Sequence, residues 1–139
     1  MKEKVIQKIK SRFTSYDDLA KDLHDDILAA NIDAPKNKTL RDHLWCVIGA
    51  RESFTTALKE GKWIGFSCSL TKLDPPEIAE KLKSSAYSFD QIISEIDDWT
   101  DERIDLLLSL LEHEVMHEGQ IIRHMYALNQ VLPDSWKWA

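Results

Sequence analysis

Apolar residues recur at spacings of three and four through four long stretches of this chain, and that period most narrows what it can fold into. Ile6, Ile9, Phe13, Tyr16, Ala20, Leu23, Ile27 and Ala30 set the first stretch, which predicts one amphipathic helix over residues 2–31. Leu40, Leu44, Val47, Phe54 and Leu58 set the second, over 40–60, with Thr39 as N-cap and Asp42 three residues on. Ile78, Leu82, Ser85, Phe89, Ile92, Ile93 and Ile96 set the third, over 75–97. Asp74-Pro75-Pro76-Glu77 opens it with a capping Asp, a Pro in the first turn and an acid at the positive end of the helix dipole. The fourth starts at a cap on Thr100 or Asp101 and runs to about Gln130, ahead of Pro133. Four glycines and four prolines are too few turn formers for a many-stranded sheet. The expected fold is all-α, a four-helix bundle filling a single domain over residues 1–139. Residues 61–74, GKWIGFSCSLTKLD, carry no helical period. Extended, they reach about 45 Å, at roughly 3.3 Å per residue, and a helix of twenty-odd residues is only about 30 Å long. This segment therefore predicts a long crossover between the second and third helices, which then run parallel.

Composition excludes several classes of function. A net charge of −6 disfavours nonspecific nucleic-acid binding, which needs a basic surface. No run approaches the roughly 18 apolar residues of a membrane span, and the Lys-rich start is followed by no apolar core of a signal peptide. Cys46 and Cys68 are too few for a disulfide scaffold. The expectation is a reduced cytoplasmic protein that acts on a small molecule, with neither nucleic acid nor membrane as partner. Trp63, Trp136 and Trp138 fall outside the main stripes, which fits a homodimer, a lid or a self-packed tail.

Chemistry concentrates in the last helix. His113, His117, Gln120 and His124 follow one another at four, three and four residues, so they stack on one helical face. Two imidazoles at i and i+4 can reach one metal ion. Leu107, Leu110, Leu111, Val115, Ile121, Met125 and Leu128 share or border that face, which points the histidines inward. The plainer alternative is a set of hydrogen-bonded core histidines. The string His113-Glu-Val-Met-His117 also satisfies H-E-x-x-H, but zinc proteases of that type use strand-rich domains with a third ligand downstream, and no such strand region is visible here. Glu114 lies about 100° around the helix from the pair and is a poor general base. On the second helix, Cys46, Gly49, Ala50, Ser53 and Ala57 form a line of small residues, suited to close packing or to ligand space. Arg51 sits within the apolar stripe, where it needs a carboxylate or an anionic ligand unless it snorkels to the surface.

His113-Glu-Val-Met-His117-Glu-Gly119-Gln120 is similar to the H-x-x-x-H-x-G-Q signature on the last helix of the DinB-like superfamily, proteins named for DNA-damage induction. Leu132-Pro133-Asp134-Ser135-Trp136 resembles the ends of those chains, and the length fits one such domain. The resemblance implies a metal-binding bundle with one ligand from the second helix and two from the fourth, a water filling the open position. Matching Leu44 to Arg51 against the family's L-W-H-x-x-G-A stretch puts Cys46 where the histidine belongs, with His43 one turn earlier as its substitute. It further implies a divalent metal, zinc or nickel, held by His113, His117 and Cys46 or His43. Arg51, Gln120 and His124 would then face the substrate. The implied chemistry is transfer of a low-molecular-weight thiol, isomerisation of a thiol adduct, or a related hydrolysis. The competing expectation is a non-catalytic dimeric stress-response or small-molecule-binding bundle with a degenerate metal site.

Overall fold

Side-chain caps at Thr39, Asp74 and Thr100 set the three longest helices of the protein. In the computed structural model, which describes residues 1–137, the order is α1 (Lys2–Ala20), α2 (Asp25–Ala29), α3 (Leu40–Glu60), α4 (Pro75–Glu95) and α5 (Asp101–Ala127), then a 3-10 turn at Asp134–Trp136. Among the described residues there is no strand, and no helix is long and apolar enough to cross a membrane. Thr39 and Asp42 form a reciprocal capping box, and Asp74 and Thr100 accept the N–H groups of Glu77 and Arg103. α3 stops at Gly61, whose left-handed φ of 80° suits a residue without Cβ.

The single helix expected over 2–31 is in fact two. α1 ends at Ala20, residues 21–23 turn, and His24 is extended, with its Nδ1 accepting the Ile27 N–H to start α2. Asp25 and Asp26 fill the first turn, where the helix dipole favours them. Periodicity misses the break because Leu19, Ile27 and Leu28 all reach one core across it.

α1 and α3 each pack against both α4 and α5. One core cluster gathers around Leu44, Ile48, Leu82, Ile121 and Trp136, and a second around Ile9, Phe13, Leu58, Phe89 and Leu107. Arg51 lies where they meet. Its guanidinium faces the rings of Phe13 from one cluster and Tyr16 from the other. Trp136 is not a surface residue: it is fully buried, edge-on to Tyr16, and its Nε1–H donates to the Ser15 carbonyl at 2.6 Å. The tail folds back on its own chain; Trp138 lies outside the described residues. Trp63 remains half exposed against Phe54.

The crossover runs back along α3, step by step. Trp63 sits beside Phe54, the Ser67 N–H and carbonyl both bond the Ser53 hydroxyl, and Cys68 reaches the Trp45 carbonyl. α4 therefore starts at the end where α3 starts. The small-residue line on α3 is the seat of this segment: a Cβ at Gly49 would fall 2.3 Å from Phe66 and 2.9 Å from the Cys68 Cβ. At the other end, Arg103 from the first turn of α5 donates to the carbonyls of Leu58, Lys59 and Asp98. This clasp occupies carbonyls that the end of α3 leaves without helical partners.

Candidate metal centre

α3 contributes Cys46 and α5 contributes His113 and His117, one turn apart. One ligand-type atom from each lies within 4.8 Å of the other two. Cys46 Sγ is 3.6 Å from His113 Nε2, and the two imidazole centroids are 4.5 Å apart. Around a tetrahedral zinc, with Zn–S about 2.3 Å and Zn–N about 2.0 Å, a sulfur and a nitrogen sit about 3.5 Å apart. His117 Nε2 is buried without a hydrogen-bond partner, and so is His113 Nδ1, the ring nitrogen other than the one facing the sulfur. Buried polar atoms are rarely left so, unless something outside the protein satisfies them. The donor set fits a divalent metal that accepts sulfur and imidazole nitrogen, and Cys46, His113 and His117 can hold one.

His43 stands behind His117 rather than in this set. It is buried on α3, and its Nδ1 lies 3.0 Å from His117 Nδ1. With His117 Nε2 free for a ligand, its Nδ1–H donates to the His43 lone pair, the outer contact that fixes a metal-binding ring's tautomer and orientation.

Burial lowers all the histidine pKa values here: His43 to about 4, His117 to about 3, and His113 and His124 in the same direction. The Lys38 ammonium adds to the effect on His43, His113 and His117. Burial raises the Cys46 thiol, with Lys38 opposing it. Neutral imidazoles are the form that binds metal. They also make the metal-free protein acid-sensitive. The unfolded chain protonates His43 and His117 near their ordinary value of 6.5, and the folded chain does so only near 4 and 3. At pH 5 unfolding therefore takes up about two protons from this pair, and stability falls as pH drops below about 6.5. Asp17 and Glu118, raised by burial, act in the opposite sense. In EDTA-treated protein the histidine contribution is expected as a loss of urea stability between pH 7 and 4 that is absent from a His43→Gln/His117→Gln variant.

Arg51, expected to face the substrate, is turned into the core. Its side chain is fully buried, with Nε 2.6 Å and Nη2 3.0 Å from the two carboxylate oxygens of Glu114, and Nη1 3.3 Å from the Leu82 carbonyl. Glu114 is equally buried and thus committed to the interior. Glu118, one residue beyond His117, is held by Arg12 at 2.8 Å. Gln120 is exposed and His124 buried, and both line a cavity of about 600 Å³ beside the triad, between α5 and residues 32–38. His43 joins its wall, whereas Cys46, His113 and His117 do not. Val115, expected on the inward face, is 40% exposed and lines the cavity too. Lys36, Lys38 and Arg123, which the sequence reading passed over, also lie on that wall. No motif marks them, because the two lysines come from the turn after α2 and only the fold brings them to Arg123.

Comparison with family models and with curated proteins finds no match to this chain. The functional reading rests on the residues themselves.

Proposed function

We propose that this chain is a divalent-metal-dependent enzyme of the DinB-like type, built as a four-helix bundle from α1, α3, α4 and α5. Cys46, His113 and His117 hold zinc or nickel, and the reaction transfers a low-molecular-weight thiol or isomerises its adduct in a reducing cytoplasm. The observation that carries this reading is the triad itself: three donors from two helices, spaced for one ion, with His117 Nε2 buried and left unpartnered. A metal bound by three protein ligands keeps an open position at which it lowers the pKa of a water or thiol. The chain's own residues do the remaining work. His43 fixes the His117 ring, and the half-buried Cys46 and His113 leave one side of the site reachable. Gln120 and His124 border the neighbouring cavity where a substrate would sit.

A second reading is a small-molecule-binding protein without catalysis. It is favoured by the commitment of both oxygens of Glu114, the carboxylate next to His113 in sequence, to the buried Arg51, which leaves it unavailable as a general base. Untagged protein is expected to carry about one zinc or nickel ion per chain by elemental analysis, and to lose it in His117→Ala. Conjugation of a small thiol to 1-chloro-2,4-dinitrobenzene, abolished by EDTA, supports the enzyme. Metal without turnover supports the binding protein, and protein without metal overturns both forms of the metal reading.

A further inference from the structure

The cavity beside the triad has a chemical character that the metal reading does not assign. In a chain with 24 acidic and 18 basic residues, its wall holds three cations, Lys36, Lys38 and Arg123, and no carboxylate. Apolar atoms of Ile32, Val115 and Met116 add to the lining, and the two α5 residues are 40% and 49% exposed. At its floor His124 is 2% exposed, and neither ring nitrogen has a hydrogen-bond partner. The Ala30 backbone comes near enough to oppose the effect of burial on its basicity without completing a bond. α5 also carries a glycine in mid-helix at this wall: a Cβ on Gly119 would meet nothing within 4 Å. A helical glycine is unfavourable relative to alanine, so here it leaves open space at a local expense in helix stability.

We propose that this cavity binds a small organic anion carrying an apolar group, the charge held by Lys38 and Arg123 with Lys36 at the rim, and the polar contact at the floor made by His124. A concave wall of one charge sign concentrates its field on an anion far more than the same side chains do singly on a flat surface. A volume of about 600 Å³ suits a ligand of metabolite size. That this anion is the substrate of the metal centre rests on the reading above; its binding does not.

The test uses the full chain stripped of metal with EDTA, so that no ion can ligate the probe. Isothermal titration is expected to show 3-phenylpropionate binding roughly tenfold or more tightly than 3-phenylpropan-1-ol, the margin of one charge-assisted contact. That margin shrinks in high salt. Lys38→Gln/Arg123→Gln, both exposed positions, should abolish the preference, and Gly119→Leu should block both probes. Circular dichroism and melting temperature confirm that each variant is folded. Equal affinity for acid and alcohol, or an undiminished preference in the Lys38→Gln/Arg123→Gln protein, overturns the proposal. A chain that binds the carboxylate but no metal sustains it and removes the metal-enzyme reading. One that binds metal but not the carboxylate does the reverse.

Discussion

Arg51→Ala is expected to remove about 3–5 kcal/mol of folding stability, the range for breaking one side of a buried ion pair. The loss comes less from the missing attraction than from what is left behind. Glu114 is fully buried, and its carboxylate has Arg51 as its ion-pair partner across two hydrogen bonds. Truncation leaves that charge without compensation at the seam between the two core clusters, and also removes the contacts to Phe13, Tyr16 and the Leu82 carbonyl. Arg51→Lys should lie between, since an ammonium cannot reproduce the two-pronged contact. Replacing both partners, as Arg51→Met/Glu114→Leu, should recover most of the loss, because neither charge is then stranded. Urea denaturation of the three variants at pH 7 decides it. An Arg51→Ala protein within about 1 kcal/mol of wild type would mean that solvent reaches Glu114 and the seam is not dry.

The second large effect separates Cys46 from His43 as the third donor. Cys46→Ala is expected to weaken zinc or cobalt binding by more than about 100-fold, beyond the 10- to 100-fold typical of outer contacts. It should also abolish the sulfur-to-cobalt charge-transfer absorption of the cobalt-loaded protein. His43→Ala should keep that absorption and lose affinity only within the smaller range, because His43 touches His117 and is not in the donor set. If the absorption is missing from wild type, or if His43→Ala is the more damaging change, the sulfur is a bystander and His43 swings in.

Much of the helical plan was legible because the caps and stripes are local. Thr39, Asp74 and Thr100 act within three residues of themselves, and the structure places all three as the residue pattern requires. The break after Ala20 was not legible, because α1 and α2 share a core face and the apolar period continues through the turn. The inward stripe of α5 was read correctly at Leu107, Leu110, His117, Ile121 and Met125, but it took in the exposed Val115 and Gln120 and left out Glu114. Its fully buried line is Leu107, Leu110, Glu114, His117, Ile121 and Met125, at spacings of three and four, with His113 at the edge. That spacing was available in the sequence, and centring the stripe on Leu110 and Ile121 would have placed Glu114 inside and paired it with the inward Arg51. The lysine-rich wall of the cavity was beyond reach, since its cations come from two parts of the chain with no shared period.

The Arg103 clasp has a mechanical consequence. It fixes α5 to the last turn of α3 at Leu58 and Lys59, twelve residues along α3 from Cys46, or about 18 Å at 1.5 Å per residue. The buried Arg51–Glu114 pair joins the same two helices again, five residues along α3 from Cys46, so the donors sit beyond two guanidinium ties. A swing of about 3° at the clasp carries the sulfur about 1 Å from the imidazoles, roughly twice the tolerance of a functioning site. Two arginines, one distant and one close by, govern the gauge of the jaw.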